Sequence, residues 1–338
     1  MIIDPSIQKR LSNMELARIV AMVTIIIGHF LLTYGLWGGS DFISHADITS
    51  LQSTSIYVIL YSFCVVGVNV FILISGFFTI HLTWKSFLSY YLLCVFYNAL
   101  VFFVDYFVFD LFSWKALIKV FLVDKTVNWF FRAYFWLMLL APLLNKAIEA
   151  LSVREMRIVV GLLFFLNCFS GFLLQEYNQN GYNVYNFIFL YVLGGWLRKD
   201  TWIQIVSKRK AISAYVGFCL LNAVIAILVL AKTNETIRQV FAYNNPLIIL
   251  ASIGLFLVFA RLDFSNKSVN LVASTVVATL FIQHLYYMLT PVINLTITPA
   301  SAFLLITPLL FIIAFVVEWP RKKVANAFIG FVLNLKKK

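Results

Sequence analysis

Arg18 and His29 share one long apolar stretch near the N-terminus, and an ionisable group in such a stretch is expensive to hold in hydrocarbon. They lie eleven residues apart. In a helix that spacing is close to three turns and about 16 Å of axial rise, so both side chains fall on nearly one face. With the N-terminus inside, Arg18 lies near the cytoplasmic surface and His29 deeper, toward the outer half. A guanidinium grips phosphate through its planar fork. A neutral imidazole, with an unperturbed pKa of about 6.5, takes a proton from an attacking hydroxyl. A reagent with a phosphate-bearing head and a reactive end that reaches into the membrane fits both, and acyl-coenzyme A has that shape. Each residue also has a plainer reading, Arg18 as a side chain snorkelling to the interface and His29 as a hydrogen-bond partner of a neighbouring helix.

A second histidine, His284, falls in the apolar run Leu280-Phe281-Ile282-Gln283-His284-Leu285, at a similar distance from the inner end of its span as His29 is from its own. The two can therefore meet at one depth, although a packed histidine bonded to a carbonyl accounts for His284 equally well. Asp105 and Arg132 fall near the outer ends of adjacent spans and suit an ion pair. The stretch Gly67-Val68-Asn69-Val70-Phe71-Ile72-Leu73-Ile74-Ser75-Gly76-Phe77 carries the small residues that let membrane helices approach closely. The four histidines are scattered over different segments without ligand-like spacing, so no metal site is expected. The four cysteines, Cys64, Cys94, Cys168 and Cys219, sit in separate apolar runs and read as packed thiols.

The elements that must position these groups follow from composition. Hydrophobic residues make up 62% of the 338 positions and charged residues 12%, with a mean hydropathy of +0.92. Soluble domains are nearer half apolar and a quarter charged, so lipid is the expected solvent. Ten segments reach or approach the roughly 17–25 apolar residues of a membrane helix: 14–37, 55–80, 86–109, 128–148, 157–175, 183–197, 211–231, 245–260, 268–289 and 300–319. The expected fold is an all-α integral membrane protein of about ten transmembrane helices, one domain over residues 1–338, with no fused extracytoplasmic domain.

The formal net charge of +12 would point a soluble protein toward nucleic acid. Here the charge gathers in alternate loops, which argues against nucleic acid and for sidedness. The inner segments hold Lys9, Arg10, Lys85, Lys146, Arg154, Arg157, Arg198, Lys199, Lys208, Arg209, Lys210, Arg261, Lys267, Arg321, Lys322, Lys323 and Lys336 to Lys338. The outer loops hold only Lys115, Lys119, Lys125, Lys232 and Arg238. By the positive-inside rule both termini are cytoplasmic. Between the third and fourth spans, Trp114 to Leu122 places Lys115 and Lys119 four apart among apolar residues, the pattern of a short helix lying in the outer interface.

In combination these residues resemble the acyltransferase-3 family of membrane O-acyltransferases. The matching positions are Arg18 and His29, the stretch from Gly67 to Phe77 ending in Ser-Gly-Phe, Trp129-Phe130-Phe131-Arg132-Ala133-Tyr134 running to Pro142 and Asn145, Asn186 to Gly194, and Phe281-Ile282-Gln283-His284. Asn69 departs from the Asp of many relatives, and Phe281 and Gln283 replace the usual Tyr and Ile before His284. The resemblance implies a ten-helix fold in a bacterial cytoplasmic membrane, an acetyl-CoA or other acyl-CoA donor, and a glycan or lipid-linked saccharide acceptor. It makes His29 catalytic and gives Arg18 a supporting or donor-binding role. Ser75 and Gly76 become candidates for the donor side, and Asn69, Trp129, Arg132, Tyr134 and His284 for the acceptor side. Tyr243-Asn244-Asn245-Pro246 and Asn186 to Gly194 look most like members that decorate capsular or other surface polysaccharides.

Two readings from other classes remain open on sequence alone. A polysaccharide or lipid-linked sugar exporter also needs many helices and buried polar groups, but would change where a glycan is found without changing its mass. A catalytically silent membrane scaffold would tolerate substitution of Arg18, His29 and His284 together.

Overall fold

In hydrocarbon every backbone N–H and C=O must find its partner inside the chain, which leaves helices as the economical solution for apolar runs of this length. The computed structural model describes residues 11–38, 41–44, 47, 48, 50–122, 129–176, 179–201, 205–293 and 301–335. The ends of two expected spans, positions 128 and 300, and the charges Lys9, Arg10, Lys125 and Lys336 to Lys338 lie outside the described residues. The described chain is helical apart from its connections and one two-residue antiparallel pairing, Trp37 with Phe42 and Gly38 with Asp41.

Helix α1 (Ser12–Leu31) continues as a π-helical segment, Leu32–Leu36, just beyond His29. Its first turn is tied to distant chain rather than capped locally. Ser12 Oγ accepts from the Asn266 amide at 2.8 Å, and Asn13 Nδ2 donates to the Phe259 carbonyl at 3.1 Å. Helices α2 (Leu51–Cys64) and α3 (Gly67–Phe78) form one run of 28 residues with a break at Val65 and Val66. Helix α4 (Trp84–Phe109) opens on a reciprocal cap between Thr83 and Ser86. The segment with the paired lysines is helical over Trp114–Val120 (α5) and is fastened to α4 by Asn98 Nδ2, which donates to the Val120 carbonyl at 3.3 Å.

Helix α6 (Trp129–Ala150) leads through a tight turn into α7 (Val153–Phe165), which ends in a π-helical stretch, Leu166–Leu173. Lys199 at the end of α8 (Val184–Lys199) donates to the Ile148, Glu149 and Leu151 carbonyls, so one ammonium satisfies the open C-terminus of α6. Helices α9 (Lys208–Lys232) and α10 (Pro246–Ala260) pack side by side, with Asn245 capping α10 and Pro246 in its first turn. The chain then forms α11 (Lys267–Ala273), α12 (Val276–Ile293), a π segment Ala302–Ile306 and α13 (Thr307–Leu335).

Seven described helical runs are long and apolar enough to cross a membrane, or eight if α11 and α12, bent by 47°, count as one span. The ten expected crossings are therefore not all distinguished by length and apolarity. The expected spans at 128–148 and 183–197 are helices, but α6 carries Arg132, Lys146 and Glu149, and α8 has only 16 residues. Helix α8 is enclosed by α3, α6 and α7, so its apolar surface meets protein on most sides. The last expected span ends at 319, whereas α13 runs straight through Pro320 to Leu335. Arg321 and Lys322 are thus helical wall residues, not part of a solvated tail.

Helices α3 and α8 pack at close range. A Cβ added to Gly76 would lie 2.1 Å from the Tyr191 carbonyl oxygen, and one added to Gly194 would lie 2.4 Å from that of Leu73. Only hydrogen at both positions allows the two backbones to come this close.

Candidate functional site

Two cavities open along the seam between α1 and α12. The first, about 460 Å³, is lined by Arg18 of α1, Ser75 of α3, Tyr90 of α4, Tyr134 of α6, Ser274 and the α13 residues Glu318, Arg321 and Lys322. Arg18 Nη1 is 2.7 Å from Glu15 Oε1, one turn back on α1, and its side chain keeps 30% exposure. Lys322 Nζ donates to the Ser274 carbonyl at 2.8 Å and lies 3.6 Å from Glu318 Oε2.

Glu318 and Arg321 form the least exposed charged pair of this wall, at 2% and 8% exposure. Arg321 donates Nη2 to Glu318 Oε2 at 2.8 Å and Nε to Oε1, and Tyr97 donates its hydroxyl to the same Oε1 at 3.1 Å. Both carboxylate oxygens are thereby engaged. Arg321 Nη1 is buried and, among the described residues, has no hydrogen-bond partner. A guanidinium has five N–H donors and no acceptor, and this nitrogen is enclosed rather than open to the cavity.

The second cavity, about 220 Å³, is lined by His29, Leu32, Thr33, Trp37, Leu280, Gln283, His284 and Tyr287. His29 Nδ1 lies 2.9 Å from Gln283 Oε1, and Thr33 Oγ1 donates to the His29 carbonyl at 2.9 Å. The Asp105 carboxylate of α4 is near enough to His284 to act on it electrostatically. One turn beyond the first cavity on both α4 and α12, Phe281 is sandwiched between Phe131 and Tyr97, with ring centroids 3.8 Å and 4.4 Å away. Along α12 this stack falls between Ala278 of the first cavity and Gln283 of the second.

The residues singled out by sequence therefore separate into groups. Arg18, Ser75 and Tyr134 line the first cavity, with Ser75 Oγ 3.5 Å from the Tyr134 hydroxyl. His29 and His284 line the second. Gly76 faces the Tyr191 backbone and lines neither. Asn69 is fully buried and donates Nδ2 to the Tyr243 carbonyl at 2.8 Å, away from both cavities. Trp129 packs in an aromatic cluster with Tyr182, Phe187 and Tyr243, with centroids 4.7 to 5.9 Å apart. Arg132 is partly buried and lines neither cavity.

No ion pair joins Arg132 to Asp105. Asp105 instead lines a third recess with Lys115 and Lys119, because α5 folds back against α4. Among the described residues no group of three or more His, Cys, Asp or Glu side chains is arranged to hold a metal.

Sequence reasoning passed over Arg321, Glu318 and Gln283. The first two carried a readable signal, opposite charges three apart flanking Pro320 beside an apolar run. Gln283 registered only as a departure, since nothing local announces that a residue 254 positions away is its partner.

The described residues form a multi-pass helical bundle with seven membrane-length apolar helices, one cavity lined by three cations and two carboxylates, and a second lined by an imidazole bonded to an amide. The chain belongs to the acyltransferase-3 family, whose model, described as an acyltransferase domain, matches residues 11–319. No curated protein and no solved structure matches it. Membership makes the chain a membrane acyltransferase.

Proposed function

We propose that the protein transfers an acyl group, acetyl in the first instance, from acyl-CoA to a hydroxyl of a cell-surface or capsular polysaccharide or of its lipid-linked precursor. It would act in the cytoplasmic membrane of a bacterium with both termini inside. The observation that carries this reading is the pair of cavities on the α1–α12 seam, one lined by Arg18, Arg321 and Lys322, the other by His29. The first cavity is of ligand-binding size, which falls at roughly 300–1,000 Å³. It is formed at the start of α1 and α4 and beside Lys322, ends that the basic segments would set on the cytoplasmic side. The donor's phosphates would pair there with Arg18, Arg321 and Lys322.

His29 then removes the proton from the acceptor hydroxyl while that oxygen attacks the thioester carbonyl. The C–O bond forms and the C–S bond breaks. The proton passes from the imidazolium to the departing thiolate, so His29 ends neutral. His284, Tyr287 and Trp37 bound the space in which the acceptor would lie.

The test is transfer of label from acetyl-CoA in washed membranes, together with the mass of surface glycans with and without the gene. His29→Ala should cut transfer by two orders of magnitude or more, in line with loss of a general base, worth about 10²–10⁴-fold. Near-normal transfer in that variant would reject the role of His29. Glycans of unchanged mass but altered location would instead point to an exporter.

A further inference from the structure

We infer that Gln283 is a positioning residue that fixes His29 in the tautomer carrying its proton on Nδ1 and so presents the Nε2 lone pair to the reacting hydroxyl. The inference rests on the reading of His29 as the base. It starts from the orientation of one buried amide. Gln283 is 1% exposed, and its two ends meet different partners. Nε2 faces the Ile26 carbonyl at 3.2 Å, and Oε1 faces His29 Nδ1 at 2.9 Å.

A backbone carbonyl can only accept. Turning the amide over would set its oxygen against the Ile26 oxygen, so the NH₂ end is held toward α1 and the oxygen toward the imidazole. An amide oxygen is likewise only an acceptor, which requires a hydrogen on Nδ1. A neutral imidazole has one such hydrogen. The free lone pair is therefore on Nε2, on the opposite edge of a ring that lines the second cavity.

The logic is that of an acid–base histidine held by a third group, with a neutral amide in place of a carboxylate. An amide orients the ring and supports the imidazolium that forms during transfer. It does so without placing a second charge in a buried seam, which would be costly to desolvate. The other titratable groups around the ring are His284 and Tyr287 of α12, with Asp105 of α4 acting on His284. The amide also crosses from α12 to α1, so the distance between those helices sets the ring's orientation.

Two experiments test this on the full chain. In the first, transfer from labelled acetyl-CoA is measured in membranes holding equal amounts of the wild type, Gln283→Met and Gln283→Glu. Gln283→Met keeps the side-chain length but no acceptor, and should lower kcat by about 10–100-fold, the scale seen when a partner that orients a metal-bound histidine is lost, with KM for the donor little changed. Gln283→Glu restores an acceptor. It should recover much of the loss while moving the acidic limb of the kcat–pH profile upward, since a carboxylate favours the imidazolium. A Gln283→Met enzyme within twofold of wild type overturns the proposal, as does a Gln283→Glu enzyme as impaired as Gln283→Met with an unmoved profile.

In the second, ¹⁵N spectra of histidine-labelled protein in lipid, assigned by difference against His29→Ala, should show neutral His29 protonated at Nδ1. A predominant Nε2–H form overturns the proposal whatever the activities are. Loss of transfer in His29→Ala with unaffected Gln283 variants sinks this inference alone. Retained transfer in His29→Ala sinks the functional reading beneath it.

Discussion

Glu318 holds Arg321 through both carboxylate oxygens across Pro320 of α13, beside the first cavity, and yet among the described residues Nη1 of that guanidinium has no partner. A buried pair of this kind is seldom a net gain in stability, because desolvation offsets much of the attraction. On the proposed reading Arg321 also meets the donor, beside Arg18 and Lys322.

Arg321→Met should therefore do two separable things. It leaves buried Glu318 with only the Lys322 ammonium 3.6 Å away and the Tyr97 hydroxyl, a loss of up to about 3–5 kcal/mol, and on the proposed reading it removes a charge-assisted contact to the donor, worth about 1.5–3 kcal/mol or roughly a 10–100-fold rise in KM. The double variant Arg321→Met, Glu318→Gln should regain thermal stability in detergent while donor KM stays high. Recovery of both together would mean that Arg321 serves only the fold.

Arg18 and His29 should fall into different kinetic classes, because they line different cavities. Arg18→Ala is expected to raise donor KM about tenfold with a smaller effect on kcat, since its 30% exposure and existing contact with Glu15 temper its contribution. His29→Ala is expected to act on kcat. Steady-state titration of acetyl-CoA against each variant separates the two.

Gly76→Ala should prevent stable folding or cost at least about 1–3 kcal/mol, because its methyl would meet the backbone of Tyr191 rather than a side chain able to swing away. Gly161→Ala on α7 is the matched control. A Cβ there has nothing within 4 Å, so helix propensity should make it neutral or stabilising by about 1 kcal/mol. Melting followed by size-exclusion chromatography in detergent gives both values.

Lys199→Met should lower the melting temperature without altering kcat. The variant strips the donor from the Ile148, Glu149 and Leu151 carbonyls, none of which lines either cavity. A change in kcat at equal folded amount would contradict a purely capping role.

What could be read from the chain alone was whatever depends on local periodicity. Hydropathy placed nearly every helix, because a run of apolar residues in lipid has little alternative to helix. Three helical turns put Arg18 and His29 on one face before any partner was known. The family pattern followed from the same local spacings.

What tertiary structure decided was which neighbour each group meets. Ser75 and Gly76 are adjacent, yet one turns to the cationic cavity and the other to the α8 backbone, because successive residues of a helix point about 100° apart. Asp105 and Arg132 suited a pair by depth, but the fold-back of α5 gave Asp105 the company of Lys115 and Lys119. Arg321 became a wall residue only because α13 continues past Pro320 and Tyr97 of α4 reaches its Glu318 partner. Gln283 acquired its role from a contact spanning 254 positions of chain. Helical periodicity is set by neighbours three and four residues away, whereas the mate of a buried polar group is set by how whole helices pack, and no stretch of sequence records that by itself.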